Sequence, residues 1–299
     1  MVKHVLKIGF PLVAAVIVFA CGKNSDTEQT ILKGETTIWT DETVFPIVED
    51  QIMVFGSQYD AKIDLVSKPE RELINALLKG DVKIAILSRQ LSAAELKVFE
   101  SKEIVPRITK FATDGVALIV NKKSADTLVA LADVIDFMKG VTSSKIKGLA
   151  FDNPNSSTMR YLKQLAKIDS VAANVYSFNN NTEAIKYVAE NDGIIGVIGL
   201  NWLSQPSPEM QPEVDKVSIV SVKGNGNEYV FPSQNNLAEG KYPLARDLFV
   251  ANCQGFSGLG MGFASFVAGE RGQRIVLKSG LLPANMPGRK IAIKNNINQ

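Results

Sequence analysis

Histidine is almost absent from this chain. Its 299 residues contain one, His4, and only two cysteines, Cys21 and Cys253. A Ser-His-Asp triad, a Cys-His couple and a His-ligated metal site are therefore excluded before any structural argument. Two cysteines cannot build a disulfide framework or a cysteine-rich zinc site, and at this spacing they form no CxxC redox pair. Surplus charge is lacking too: Lys plus Arg number 33 and Asp plus Glu 31. Setting aside Lys3 and Lys7, in an amino-terminal segment expected to be removed, the two signs balance. A neutral chain carries no global electrostatic case for nucleic acid. No Asp/Glu cluster has metal-ligand spacing, and no carboxylate pair stands at helical spacing in an apolar surround. A carboxylate-metal phosphohydrolase and an acid/base enzyme thus lack their residues, and no cofactor is expected.

What is present begins at the amino terminus. Lys3 and Lys7 precede an apolar run, Ile8 to Phe19, broken only by Gly9 and Pro11. The run is too short to span a membrane, which takes ~20 residues, but it suits a secretory signal. It ends in Val18-Phe19-Ala20-Cys21, followed by polar Gly22 to Asp26. This resembles the bacterial lipobox, with Cys21 as the lipidated residue and Phe19 where a small residue is usual. The alternative is an ordinary cleaved signal with an incidental cysteine. Residues 1–20 are expected to be the signal peptide and 21–34 a lipidated flexible tether.

From Thr36 onward, short β-branched runs alternate with amphipathic stretches, the pattern of an α/β protein. Strands are predicted at Thr36–Thr40, Lys62–Ser67, Lys83–Ser88, Val116–Asn121, Lys147–Phe151, Ile194–Ile198 and Leu248–Ala251. A helix carries Val44, Val48, Ile52 and Phe55 on one face, with Pro46 in its first turn. Further helices are predicted over Glu70–Lys79 before Gly80, from the capping box Ser92–Glu95, and over Leu128–Met138. Others cover Thr182–Glu190, Gly262–Lys278, and a segment aligning Met159, Leu162 and Leu165. Val217–Val222 and Tyr229–Phe231 flank a hairpin turn at residues 223–227. Gly255, Gly258, Gly260 and Gly262 lack dinucleotide spacing and read as a loop leading into a helix. Trp39, Trp202, Phe263 and Phe266 lie on apolar faces and read as core.

Two segments look alike, Thr36–Phe55 and Lys147–Leu165. Each is a strand, a polar loop with Asp and Thr, then a helix, as if they were equivalent positions in two lobes. In the first loop Asp41, Glu42, Thr43 and Val44 open the helix, and in the second Asn155, Ser156, Ser157 and Thr158 do. Free backbone N–H groups there favour an anion, although either loop alone also reads as simple capping. Ser88-Arg89 ends a buried strand at the carboxyl edge, where α/β sheets bind ligands; a lone arginine there also reads as a surface residue.

Several motifs together carry a family resemblance. Ala112-Thr113-Asp114-Gly115 running through Val120-Asn121, and Tyr242-Pro243-Leu244-Ala245-Arg246, are similar to D-G and Y-P-L-x-R motifs of the phosphate-binding proteins of ABC transporters. Ser88-Arg89-Gln90-Leu91, Gly193–Leu200 and Phe263–Pro283 match further stretches, with Val197 where a tyrosine is usual. The ligand loops depart more: Thr40-Asp41 replaces Gly-Ser, and Ser156-Ser157-Thr158 has Arg160 after it in place of an arginine before.

The chain therefore resembles the type II periplasmic solute-binding proteins. The resemblance implies an α/β fold of two lobes, each a mainly parallel sheet flanked by helices, with the ligand cleft between. Lobe one would comprise residues 35–112 and 246–299, and lobe two 113–245. It implies a non-enzymatic, lipid-anchored protein of the bacterial cell envelope that captures a small oxyanion, phosphate first. The candidate ligand residues are Asp41, Thr43, Val44, Ser88, Arg89, Ser156, Ser157, Thr158 and Arg160. On chemical grounds Asp41, or Glu42 beside it, is expected to accept a phosphate proton, with Arg89 or Arg160 supplying charge; both acids also read as simply matched to the helix dipole. The implied partners are a membrane permease or other envelope complex and the membrane itself, with the protein a monomer. The altered loops motivate an alternative, a sensory or adaptor lipoprotein of the same fold with another ligand or none.

Overall fold

A computed structural model describes residues 29–124 and 126–288; the signal and Cys21 expectations lie outside them. The first elements alternate. β1 (Lys33–Asp41) leads through a single 3-10 turn to α1 (Phe45–Gln58) and β2 (Asp60–Lys68). α2 (Glu70–Lys79), β3 (Ile84–Leu87), α3 (Ala93–Glu100) and the long β4 (Arg107–Asn121) follow. α2 shows why the ends fall where they do. Glu70 and Glu72 sit in its first turn and Lys79 in its last, each matched to the helix dipole, and Gly80 stops it at φ 93°.

The second stretch holds β5 (Leu128–Ala130), α4 (Leu131–Met138), β6 (Gly148–Phe151), α5 (Ser157–Ala166), β7 (Val175–Ser177), α6 (Asn181–Glu190) and β8 (Ile194–Gly199). Short elements come next: α7 (Asn201–Ser204), α8 (Gln211–Val214), β9 (Val217–Ile219), β10 (Ser221–Lys223), β11 (Tyr229–Val230) and α9 (Gln234–Ala238). β12 (Ala245–Asn252), α10 (Leu259–Ala268), α11 (Glu270–Lys278) and β13 (Leu282–Pro283) complete the chain.

One strand path runs β2-β1-β3-β12-β4-β8-β6-β7. β1 is parallel to β2 and β3, and β6 is parallel to β7 and β8. Between these parallel sets stand β4 and β12, antiparallel to each other and to their outer neighbours. The amino-terminal part of β4 pairs with β12, while Val116–Ile119 pairs with β8. The strand thus joins the two parallel sets within its own length. A core including Ile38, Phe55, Phe111, Leu118, Phe151 and Phe263 continues across both lobes. Each fully buried side chain of that size contributes about 1.5–3 kcal/mol. Among the described residues no helix is long and apolar enough to cross a membrane.

Four local expectations change. Leu128–Ala130 is not helical: it pairs with Ser221–Lys223, setting Val129 opposite Val222. Val217–Val222 is two strands, because Val217–Ile219 pairs with β4 while Ser221–Lys223 pairs with β5 and β11. The last helix breaks at Gly269, whose backbone is extended. A side chain at Gly272 would run into the Phe266 carbonyl and Val267, so glycine permits α11 to fold back on α10. Gln273 Nε2 then donates to the Val267 carbonyl at 2.6 Å and the Phe111 carbonyl at 2.8 Å. On α5 the buried stripe is Met159, Leu162 and Ala166, with Leu165 exposed.

Candidate functional site

The two look-alike loops meet. After β1, Asp41 turns the chain, its Oδ1 accepting the Thr43 N–H at 3.2 Å, and Thr43 stands before α1. After β6, Ser156 caps α5, its Oγ accepting the Met159 N–H at 3.2 Å. The hydroxyls of Thr43 and Ser157 lie 2.9 Å apart across the lobes. Close approach is possible because Gly199 lies against the Thr43 carbonyl, where a side chain would collide. Asn201 Nδ2 donates to that carbonyl at 2.9 Å.

Arg246 completes the junction. Its Nη1 donates to Ser157 Oγ at 2.7 Å and its Nη2 to Thr43 Oγ1 at 2.9 Å. Nη2 and Nε also reach Asp114 Oδ2, at 3.0 and 3.2 Å. The pair is built by register, since Arg246 on β12 stands opposite Asp114 on β4 where the chain passes between lobes. Thr158 Oγ1 lies 2.9 Å from Ser156 Oγ and donates to Asp152 Oδ1. Asp41, Thr43, Asp114, Asp152, Ser157 and Thr158 are all fully buried.

Burial dominates the electrostatics. It pushes Asp114 up to about 6 despite the Arg246 charge beside it, and Asp152 up to about 6 despite the Thr158 and Ser156 hydroxyls. Asp41 is raised by the same cause, with Arg246 pulling against it. Glu42 is pushed up to about 8, first by burial and then by the Asp152 charge. Burial would weaken the hold of Arg246 on its proton, but the Asp114 and Asp41 carboxylates outweigh it.

The expected cations sit elsewhere. Arg89 donates from Nε to Glu70 Oε1 at 2.9 Å and from Nη1 and Nη2 to Glu95 at 2.8 Å. Arg160, from the other lobe, donates to the same Glu70 Oε1 at 2.6 Å. Ser88 Oγ contacts Glu70 Oε2 at 3.4 Å. Ser88, Arg89 and Arg160 therefore all engage Glu70, and Glu70 and the two arginines line an open cleft of about 460 Å³. Val44 is a core residue ahead of α1. On another lip, the Asn181 N–H and Nδ2 donate to Glu42 at 3.2 and 2.5 Å. The Trp202 indole donates to the Glu42 carbonyl at 3.2 Å, a role beyond the core packing expected of it.

The structure thus gathers Asp41, Thr43, Ser156, Ser157 and Thr158, and adds Arg246, Asp114 and Asp152 to them. A usable signal existed: Asp114 is a lone carboxylate inside an apolar strand, and a buried charge requires a partner. Among the described residues no group of His, Cys, Asp and Glu is placed to hold a metal ion.

The sequence model of the PBP superfamily domain matches residues 24–271. The chain belongs to the PBP superfamily. Phosphate-binding protein PstS of Staphylococcus epidermidis is 27% identical over 266 residues, covering 79% of this chain and 75% of that protein. PstS of Staphylococcus aureus is 27% identical over 257 residues, with 79% and 74% covered. A Clostridium perfringens protein described as a phosphate ABC transporter substrate-binding protein, solved with phosphate bound, superposes with a TM-score of 0.71. It is 20% identical, with 84% of this chain and all of that one covered. An ABC-type phosphate transport receptor from Vibrio cholerae gives 0.63 at 20% identity, covering 83% and 99%. These structures establish the shared two-lobed fold.

Proposed function

We propose that this protein is an extracytoplasmic solute-binding protein that closes its lobes on a small oxyanion, phosphate first, and delivers it to an ABC-type transporter without any catalytic step. The observation that carries this reading is the convergence of Thr43, Ser157 and Arg246, two helix-start hydroxyls and one guanidinium from three separate elements. Hydrogen bonds to a charged group contribute about 1.5–3 kcal/mol each. Five would exceed the roughly −8 kcal/mol of a micromolar complex, even after lobe closure takes its share. The relatives named for phosphate binding support the choice of anion.

In this reading Asp41, Thr43, Ser156–Thr158 and Arg246 touch the ligand, while Arg89 and Arg160 act through Glu70. Lobe one is residues 35–112 and 246–299 and lobe two is 113–245, with crossings at β4 and β12. Cys21 carries the lipid anchor, so Cys21→Ala releases the protein from membranes. Calorimetric titration of the purified protein tests the function, with phosphate binding and sulfate not. Failure to bind either anion sinks it. The sensory or adaptor reading then takes its place, motivated by the altered loops, where Thr40-Asp41 stands for Gly-Ser and no arginine precedes Ser156.

A further inference from the structure

The centre of the site is short of cations. Asp41 ends β1, Asp114 lies in β4 and Asp152 follows β6, all fully buried around Arg246. One oxygen of each is engaged: Asp41 Oδ1 by the Thr43 N–H, Asp114 Oδ2 by Arg246, and Asp152 Oδ1 by the Thr158 hydroxyl. The others, Asp41 Oδ2, Asp114 Oδ1 and Asp152 Oδ2, are buried without a hydrogen-bond partner. The side-chain carbonyls of Asn181 and Asn201, on the lobe-two residues that grip Glu42 and Thr43, are unpartnered as well. Every one of these orphan atoms is an acceptor. A fully ionised oxyanion brings only further acceptors and negative charge. It would leave each buried group unmet, at about 1–3 kcal/mol apiece, and add like-charge repulsion.

Resting on the oxyanion reading, we propose that the anion is taken up together with protons lodged at Asp41 and Asp152, so that capture strengthens as pH falls. Asp114 and Arg246 neutralise each other through two hydrogen bonds. Asp41 and Asp152 are then the carboxyls with no cation of their own. A proton drawn from solvent turns the orphan oxygen of either into an O–H donor for a ligand oxygen. A proton already on the ligand is accepted there instead.

The groups facing them leave no other source of neutralisation. Asp41 meets Arg246 of β12, Glu70 of α2, Ser157 of α5, the Thr43 N–H, and the carboxyls of Glu42, Asp114 and Asp152. Asp152 meets Thr158 of α5, the cap residue Ser156, Asp41, Arg246 and Glu42. Arg246 is the one cation among them, and it is shared. The ligand class favoured is an oxyanion still protonated near neutrality, phosphate or a phosphonate, because it can bring one of these protons with it and sulfate cannot.

The test is phosphate calorimetry on the purified protein in buffers of different ionisation enthalpy, at about pH 6 and about pH 8. The expected result is net proton uptake on binding, with affinity falling about tenfold per pH unit for each proton taken up. Asp41→Asn and Asp152→Asn, singly and together, fix the neutral form and should bind phosphate with less uptake and a flatter pH dependence. Thermal unfolding confirms that each variant is folded. Phosphate binding without proton uptake overturns the inference and leaves the oxyanion reading standing. A pH dependence unchanged in the folded variants does the same, because the protons then belong to phosphate alone. No phosphate binding at either pH overturns both.

Discussion

Two arginine–carboxylate clusters join the same two lobes, and they differ in depth. At the centre, Arg246 and Asp114 have side chains 3% and 0% exposed. At the lip, Glu70 is held by Arg89 and Arg160, whose side chains remain 23% and 32% exposed. The central pair stands on β4 and β12, opposite each other in register, whereas Glu70 of α2 and Arg160 of α5 join two helices. In the proposed closing of the lobes, the first pair would keep its geometry and hold the ligand, and the second would form only on closure.

The largest expected effect breaks the central cluster. Arg246→Met strands the Asp114 carboxylate in the interior, and losing one partner of a buried pair costs about 3–5 kcal/mol. Denaturant unfolding measures it. A loss no greater than that of the lip variant below would erase the distinction between the clusters.

Protonation gives the next effect. Asp114 and Asp152 rise to about 6 and Glu42 to about 8, all above their unfolded values. A raised folded value means the stability these groups contribute is complete below the ordinary carboxylate range. It is lost as pH climbs through about 6 and then about 8. Melting temperature is therefore expected to fall from mildly acidic to mildly alkaline pH. Glu42→Gln should remove the alkaline part of that decline, and a melting temperature that rises across the range would contradict the assignment.

The smallest effect is at the lip. Glu70→Gln leaves two arginines that solvent still reaches, so about 1 kcal/mol is expected. Its clearer sign is a larger radius of gyration in solution scattering, as the lobes separate more often. An unchanged radius would deny the lip cluster its role.

The same contrast explains what the sequence made legible. Strand and helix alternation, the cap at Ser92 and the stop at Gly80 were readable because local chemistry decides them. The equivalence of the two loops was readable because both repeat strand, polar turn and helix, and their hydroxyls do meet. The cation of the proposed site was not. Arg89 is conspicuous at a strand end, yet Glu70 and Glu95 engage it. Arg246 is hidden in a continuous strand, and its partner lies 132 residues away, so only sheet register reveals the pair. The break at Gly269 was illegible for a similar reason, since α11 turns back on contacts made by Gly272 and Gln273.

The most direct measurement titrates phosphate into Arg246→Lys and Arg89→Lys side by side, each verified as folded by circular dichroism. Lysine keeps the charge but cannot span Thr43, Ser157 and Asp114 at once. Arg246→Lys is expected to weaken phosphate binding by about tenfold to a hundredfold, the value of one charge-assisted bond. Arg89→Lys should stay within a few-fold of the wild type. If Arg89→Lys loses phosphate while Arg246→Lys keeps it, the ligand sits at the lip and the central assignment is wrong.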